Sequence, residues 1–502
     1  MRRTALRQPS LWTILFGQLL LVFFFGALLA CGSGPTGNDD NNDPGDGDAP
    51  PGEQILTVLY TADEHAQIEQ SPASDGAARI MGLWMSAEGF DAEADNLILS
   101  GGNSWTGQII STWFQGASVV EVMGAMNYGG QAIGSLEFQF GPDALRDRAA
   151  EAGFPLLSSN IRLKAGGGIP DFATPFSVRN VNGLKVGLIG LTPVTTPQSN
   201  VPTNTEDFDF RPYAESLNEW VPQVRAAGAD LVLVLARICR QEMMEILPVA
   251  RQLGVSMIGG SYCGETFAEV HDGVALLAPN WRFSEYGLLK IRVRKNSKEI
   301  VGITSEIKPN TGGAPLEEVK TIVEKWAHMA EEELNVPVGY VGAAIPNESV
   351  PLYNLVMDSW LHAYPGDIAM LNSGAIRTGF QAGEITKGAV VRMMPFENDI
   401  VKLELTGAEV VDCLQNSTIL AGMSTRDGYL HSDGTPMKMD STYHVLTTEF
   451  LHGSDQYRYK QYDPTPLATG IVYHLPTLLY LEALATSPDN PLDPFLDHDP
   501  RR

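Results

Sequence analysis

The chain is 502 residues long, more than one compact core usually absorbs, which predicts two folded domains plus accessory segments. Charged residues make up 19% and hydrophobic ones 44%, a globular balance that excludes wholesale disorder or a fibre. Lys and Arg number 34 against 60 Asp and Glu, and the resulting net charge of −26 repels phosphate backbones, which argues against nucleic acid as a partner.

Arg2, Arg3 and Arg7 precede a run from Leu11 to Ala30 that is apolar except for Thr13 and Gln18. It ends Leu28-Leu29-Ala30-Cys31-Gly32, with small residues where a signal peptidase cuts. Residues 1–30 therefore read as a signal peptide. The ending resembles the lipobox of bacterial lipoproteins, which implies cleavage before Cys31 and lipidation of that cysteine. An uncleaved transmembrane anchor competes with this, since the run is about as long as a bilayer is thick. Either way the folded part lies outside the cytoplasm. The expected location is the bacterial cell envelope, at the periplasmic face of the outer membrane or the cell surface, with the membrane touched only through the lipid anchor.

Residues 31–53 are Gly, Pro, Asn and Asp with almost nothing apolar, and Asp39, Asp40, Asp43, Asp46 and Asp48 lack basic partners. Such a stretch stays solvated and serves as an acidic, disordered tether.

Folded sequence begins near Ile55. Short apolar runs at Ile55–Tyr60, Asn96–Leu99, Lys185–Leu191, Asp230–Leu235 and Ser256–Ile258 predict strands. Helical stretches such as Phe114–Met126 and Asp143–Ala152 lie between them. Continuous apolar strands alternating with helices indicate a layered α/β domain whose sheets are buried on both faces. Ligands in such domains sit on loops past the carboxyl ends of strands. After Pro309-Asn310-Thr311-Gly312-Gly313, the segment Glu317–Leu334 carries Val319, Ile322, Val323, Trp326 and Met329 near helical spacing, a linker helix.

The polar segments after these strands carry a resemblance. Thr61-Ala62-Asp63-Glu64-His65, Leu99-Ser100-Gly101-Gly102-Asn103 and Gly134-Ser135-Leu136-Glu137-Phe138-Gln139-Phe140-Gly141 resemble successive motifs of the calcineurin-like metallophosphoesterases, in particular the two-domain 5′-nucleotidases. The third stands where that family has Gly-Asn-His-Glu-Phe-Asp-Tyr-Gly. The segments ending at Cys239 and Cys263 stand where two later histidine motifs belong. The resemblance implies a four-layer αββα metallophosphoesterase-like domain over 54–308, a linker over 309–336, and a smaller α/β domain of the 5′-nucleotidase C-terminal type over 337–502.

For chemistry it implies two divalent metals that clamp phosphoryl oxygens and generate a hydroxide. Asp63 and His65 match the first two ligands. The bridging aspartate is Asn103, the asparagine ligand is Ser135, and the catalytic histidine is Leu136. A further histidine ligand is Arg237, and the last pair falls on Ser261 and Cys263. Two arrangements of this remnant compete. In one, Asp63, His65 and Cys263 hold a single zinc-like ion while Arg237 supplies the second metal's charge. In the other, Asp63 and His65 pair with Arg237 and no metal binds.

From Val338 onward the resemblance is to the substrate-binding domain. Phe396, in Pro395-Phe396-Glu397-Asn398, and Phe450 match two rings between which a base stacks. Asn398 matches a base-facing amide, Arg377 an arginine near the nucleoside, and Asp455 a contact for ribose hydroxyls.

Cys239 and Cys263 hang from the same rim of the sheet, so in an oxidising compartment they are expected to form a disulfide. Cys413 lies on an apolar helix face and reads as a buried thiol. The expected function is binding of a nucleotide-like or other anionic small molecule without efficient hydrolysis. The alternatives are a one-metal phosphoester hydrolase and a surface interaction protein.

Overall fold

The run Leu231–Ala236 shows why the first lobe is layered. Leu231, Leu233 and Leu235 face one hydrophobic core, whereas Val232, Val234 and Ala236 face another. A strand buried on both faces has no polar side to alternate with, hence its continuous apolar sequence. The computed structural model describes residues 49–502 except 72–73, 92–95, 201, 397, 427 and 455. The signal segment, most of the tether, Cys31 and Asp455 lie outside the described residues.

Two six-stranded sheets build the first lobe. One runs in the order Ile300–Pro309, Glu285–Arg294, Glu53–Thr61, Asn96–Ser100, Tyr128–Ala132, Leu156–Leu157. The other runs Phe267–His271, Val274–Ala278, Met257–Gly259, Leu231–Ala236, Leu184–Leu191, Phe176–Val181. Leu56, Val58 and Tyr60 fill the core between the sheets together with Leu97, Leu99 and Leu188. The helices Tyr213–Ala226 and Arg240–Gln252 cover one outer face. Ala77–Ala87 and Ala117–Ala125 cover the other. The result is the αββα order of layers.

The helix Glu317–Glu333 packs on the first lobe instead of spanning a gap. Val319 is fully buried there, and Ile322, Val323 and Trp326 lie against the same core. Its Trp326 indole N–H donates to Glu121 at 2.7 Å.

The second lobe is a five-stranded sheet in the order Thr418–Ala421, Ile368–Asn372, Thr442–Thr448, Asp399–Thr406, Leu467–Val472. The helices Val350–Ala363 and Leu475–Leu484 contribute to its core. Cys413 is buried and free there. Among the described residues, no helix is long and apolar enough to cross a membrane.

His474, next to the last of these helices, is buried, and its Nδ1 has no partner among the described residues. Burial pushes its pKa down to about 4, against a backbone hydrogen bond at Met394. A depressed histidine contributes stability that is present above the unfolded value of about 6.5 and lost as pH falls towards 4. Replacing it with Gln is expected to flatten the decline in stability across that window, measured by urea denaturation at successive pH values.

Candidate functional site

Asp63 and His65 sit on the turn that follows the Glu53–Thr61 strand, and Asn103 on the turn after Asn96–Ser100. All three have left-handed backbones, with φ of 51°, 48° and 60°. That conformation is costly for residues with a Cβ, so surrounding contacts must hold it. The Asp63 N–H donates to the Gly102 carbonyl at 2.9 Å, and the His65 N–H to the Asn103 carbonyl at 3.2 Å. From behind, the Arg282 N–H donates to the Asp63 carbonyl at 2.8 Å.

The Asn103 amide is used at both ends. Its Oδ1 accepts the Leu136 N–H at 3.0 Å, so its Nδ2 faces Asp63 Oδ1 at 2.9 Å. The Leu136 N–H can only donate, which fixes that orientation. An aspartate at 103 would set two carboxylates face to face, a geometry that needs a cation between them. Asparagine turns it into a direct hydrogen bond.

The Asp63 Oδ1 also receives Arg237 Nε at 3.4 Å and lies 3.9 Å from His65 Nε2. Burial alone would raise the Asp63 pKa, but the charge of Arg237 and the hydrogen bonds of His65 and Asn103 hold it below the usual carboxylate range. On its other side, His65 Nδ1 lies 3.2 Å from Asp399 Oδ2, which belongs to the second lobe. Burial would depress His65, yet its bonds to Asp399 and Asp63 raise it to about 9.

Arg282 Nη2 reaches the same Asp399 oxygen at 3.2 Å and Glu449 Oε1 at 3.1 Å. Its guanidinium lies 4.3 Å over the Trp281 ring, which stacks on Tyr262 and meets the edge of His65. For Asp399, burial raises the pKa, but His65 and Arg282 bring it below normal. Burial and the charge of Asp399 push Glu449 up to about 7, against Arg282 and His65.

The remaining positions are placed as follows. Ser135, Leu136 and Ser261 are buried, and the Ser261 Oγ has no partner among the described residues. Cys239 and Cys263 are joined by a disulfide, with Cα atoms 5.7 Å apart. It ties the start of the Arg240–Gln252 helix to the turn after Met257–Gly259, and so flanks both Arg237 and Tyr262. The Cys263 sulfur is thereby taken, which corrects the arrangement of Asp63, His65 and Cys263 around a zinc-like ion. Among the described residues, no group of three or more His, Cys, Asp or Glu is placed to hold a metal. The two metals implied by the resemblance do not fit this donor set. Asn103, Ser135, Leu136 and Ser261 offer no charged donor, the Cys263 sulfur is in the disulfide, and Arg237 is a cation that already holds Asp63.

Two buried carboxylates carried no signal of their own in the sequence. Glu137 accepts the N–H groups of Asn103, Ser104 and Gly134 at 3.0, 2.7 and 2.8 Å, which locks two motif turns together. Glu64 accepts the hydroxyls of Thr61 and Ser100 at 2.5 and 2.7 Å. Burial pushes Glu64 up to about 7, against both hydroxyls.

In the second lobe, Phe396 is 44% exposed and Phe450 61% exposed. The Phe396 N–H donates to the Tyr473 hydroxyl at 3.2 Å, and the carbonyl of Asn398 accepts the Tyr473 N–H at 3.0 Å. Phe450 lies on the short helix Glu449–Gly453, whose first turn is capped by Thr448. Arg377 is exposed and folds back on the Gly374 carbonyl at 3.1 Å.

Residues 333–432 match the family model described as 5′-nucleotidase, C-terminal domain. The chain is 23% identical over 506 residues to a 5′-nucleotidase of Vibrio cholerae, covering 85% of this chain and 90% of that protein. It is 24% identical over 490 residues to a human 5′-nucleotidase, covering 80% and 84%. Among solved structures, NAD nucleotidase from Haemophilus influenzae superposes with a TM-score of 0.71 at 15% identity, over 86% of this chain and 97% of that one. A 5′-nucleotidase precursor from Thermus thermophilus gives 0.53 at 22% identity, with the same coverage. With motif order, layers and second lobe all in agreement, the chain resembles the two-domain 5′-nucleotidases and shares their fold.

Proposed function

We propose that the chain is an exported, lipid-anchored protein with a degenerate metal centre, which binds a nucleotide-like or other anionic small molecule without hydrolysing it efficiently. The observation that carries this reading is the Asp63–Arg237 pair. Arg237 stands where the resemblance places a metal ligand, and its side chain is 14% exposed against 3% for Asp63. Only its Nε is directed at Asp63, so the rest of the guanidinium fork is left to a ligand. Such a fork takes phosphate or carboxylate oxygens two at a time. A local cation of this kind is what a chain of net charge −26 needs to hold an anion.

The exposure of Phe396 and Phe450 supports a stacking surface for a base, since rings that merely pack are buried. Stacking contributes about 1–3 kcal/mol per base. Titration calorimetry is expected to show AMP binding that weakens about tenfold or more in Phe450→Ala, the loss of one stacking face. Arg237→Met should weaken AMP much more than adenosine, because only the former carries the anion. Affinities unchanged in both variants would sink the reading. Membrane contact through the lipid alone is supported by the Leu28–Gly32 sequence, and the net charge of −26 speaks against a nucleic-acid partner. If a Cys31→Ser chain still fractionated with membranes, the anchor would be wrong.

A further inference from the structure

The proposed anion site does not use the contacts that two of the departures, Leu136 and Gln139, make with the second lobe. Leu136 and Gln139 replace two polar residues of the family's third motif, and both meet the Leu467–Val472 strand. Gly470 presses so closely on Leu136 that an added Cβ would lie 2.2 Å from the leucine Cδ1 and 2.9 Å from Thr106 Oγ1. The Gln139 side-chain amide donates to the Thr469 carbonyl beside it. A few residues away in space, His65 and Arg282 of the first lobe grip Asp399 of the second, and Arg282 continues to Glu449. At their centre Leu136 and Thr469 are 0% exposed, Asp399 2% and His65 3%, whereas Gln139, Arg282 and Glu449 are partly buried. Arg282 is oriented by the Trp281 ring beneath it and by its own backbone bond to Asp63.

The chemistry explains why such contacts can replace a metal centre. A two-metal site presents strong positive charge to a substrate and must stay open to it. Here the positive charge is the guanidinium of Arg282, and its partners, Asp399 and Glu449, are carboxylates of the other lobe, with the His65 ring bonded to the same Asp399. Buried, alternating charges with hydrogen-bonding geometry hold well while complete, and removing one member leaves the next uncompensated. An apolar leucine sealed against a glycine adds close packing that excludes water from the seam.

We propose that the residues in the place of the metal centre form an inter-lobe clasp, with His65, Leu136, Gln139 and Arg282 set against Asp399, Glu449, Thr469 and Gly470, which keeps the two lobes in one fixed orientation. The clasp stands independently of whether the pocket binds an anion. A ligand held at Arg237 therefore does not open the lobes.

Paired electron spin labels test this on the full-length chain. Met244→Cys and Leu479→Cys place labels on exposed helical sites of the first and second lobes. A Cys31→Ser background, with Cys413 buried and the other cysteines bonded, confines labelling to them. The expected result is one narrow distance distribution, unmoved by saturating AMP or inorganic phosphate. Arg282→Met, Glu449→Gln and Gly470→Val are each expected to broaden it or add a second distance, with circular dichroism confirming that both lobes remain folded. If Arg282→Met fails to fold, the isosteric Glu449→Gln and the wild-type distribution decide. A broad or two-peaked wild-type distribution, a shift on adding AMP, or folded variants that all keep the narrow peak would overturn the clasp.

Discussion

Incubated with AMP and magnesium, manganese, zinc or cobalt, the purified protein is expected to release no phosphate above the uncatalysed background. The reaction implied by the resemblance needs a metal-activated hydroxide, and general acid–base help contributes about 10²–10⁴-fold on top of it. Among the described residues, neither has its carrier at the motif positions. Leu136 cannot move a proton, and the Asn103 amide is held between Asp63 and the Leu136 N–H. His65 is committed to Asp399 and Arg237 to Asp63. Losing the metals and the acid together should cost many powers of ten in rate. Phosphate release followed by a colorimetric assay settles the matter. Steady turnover that stops with chelator and with Asp63→Ala would contradict the reading.

The second large effect concerns stability. Asp399→Ala is expected to destabilise the protein by about 3 kcal/mol, because it removes the buried carboxylate shared by His65 and the partly buried Arg282. Asp399→Asn keeps a hydrogen-bond acceptor in place and should lose less. A control at the exposed Arg146–Asp171 pair should be near neutral, since solvent screens surface ion pairs. Denaturant midpoints for the three variants provide the comparison. An Asp399→Ala chain as stable as the surface control would mean that the buried charges find other partners.

The strands were readable in advance because burial on both faces writes itself as an unbroken apolar run. Ile55–Tyr60 and Asp230–Leu235 fall inside the strands Glu53–Thr61 and, by all but one residue, Leu231–Ala236. The long helix after Pro309 was readable for the same periodic reason, although its tight packing on the first lobe was not. In the site, Asp63, Asn103 and Arg237 could be named because they occupy recognisable motif positions. Asp399, Arg282, Trp281 and Glu449 could not. Asp399 lies 334 positions from His65 and 117 from Arg282, and no local pattern announces that a strand end of one lobe will meet a turn of the other. Aromatic rings pose the same difficulty in reverse. Phe396 and Phe450 read equally well as core residues or as an open surface, and only the folded chain distinguishes exposed rings from buried ones such as Phe138.

The two-ended hydrogen bonding of Asn103 also bears on evolution. Restoring an aspartate at that position alone would remove the amide donor and place a second carboxylate about where the amide now sits, 2.9 Å from Asp63 Oδ1. With no histidines returned to hold a metal, like charges at that separation repel inside a buried site. An aspartate at 103 is therefore tolerated only with compensating changes around it, Arg237 first, since Asp63 already shares its Oδ1 with that guanidinium. The amide of Asn103 and the charge of Arg237 are thus coupled through one oxygen of Asp63, and neither position can be substituted without consequence for the other.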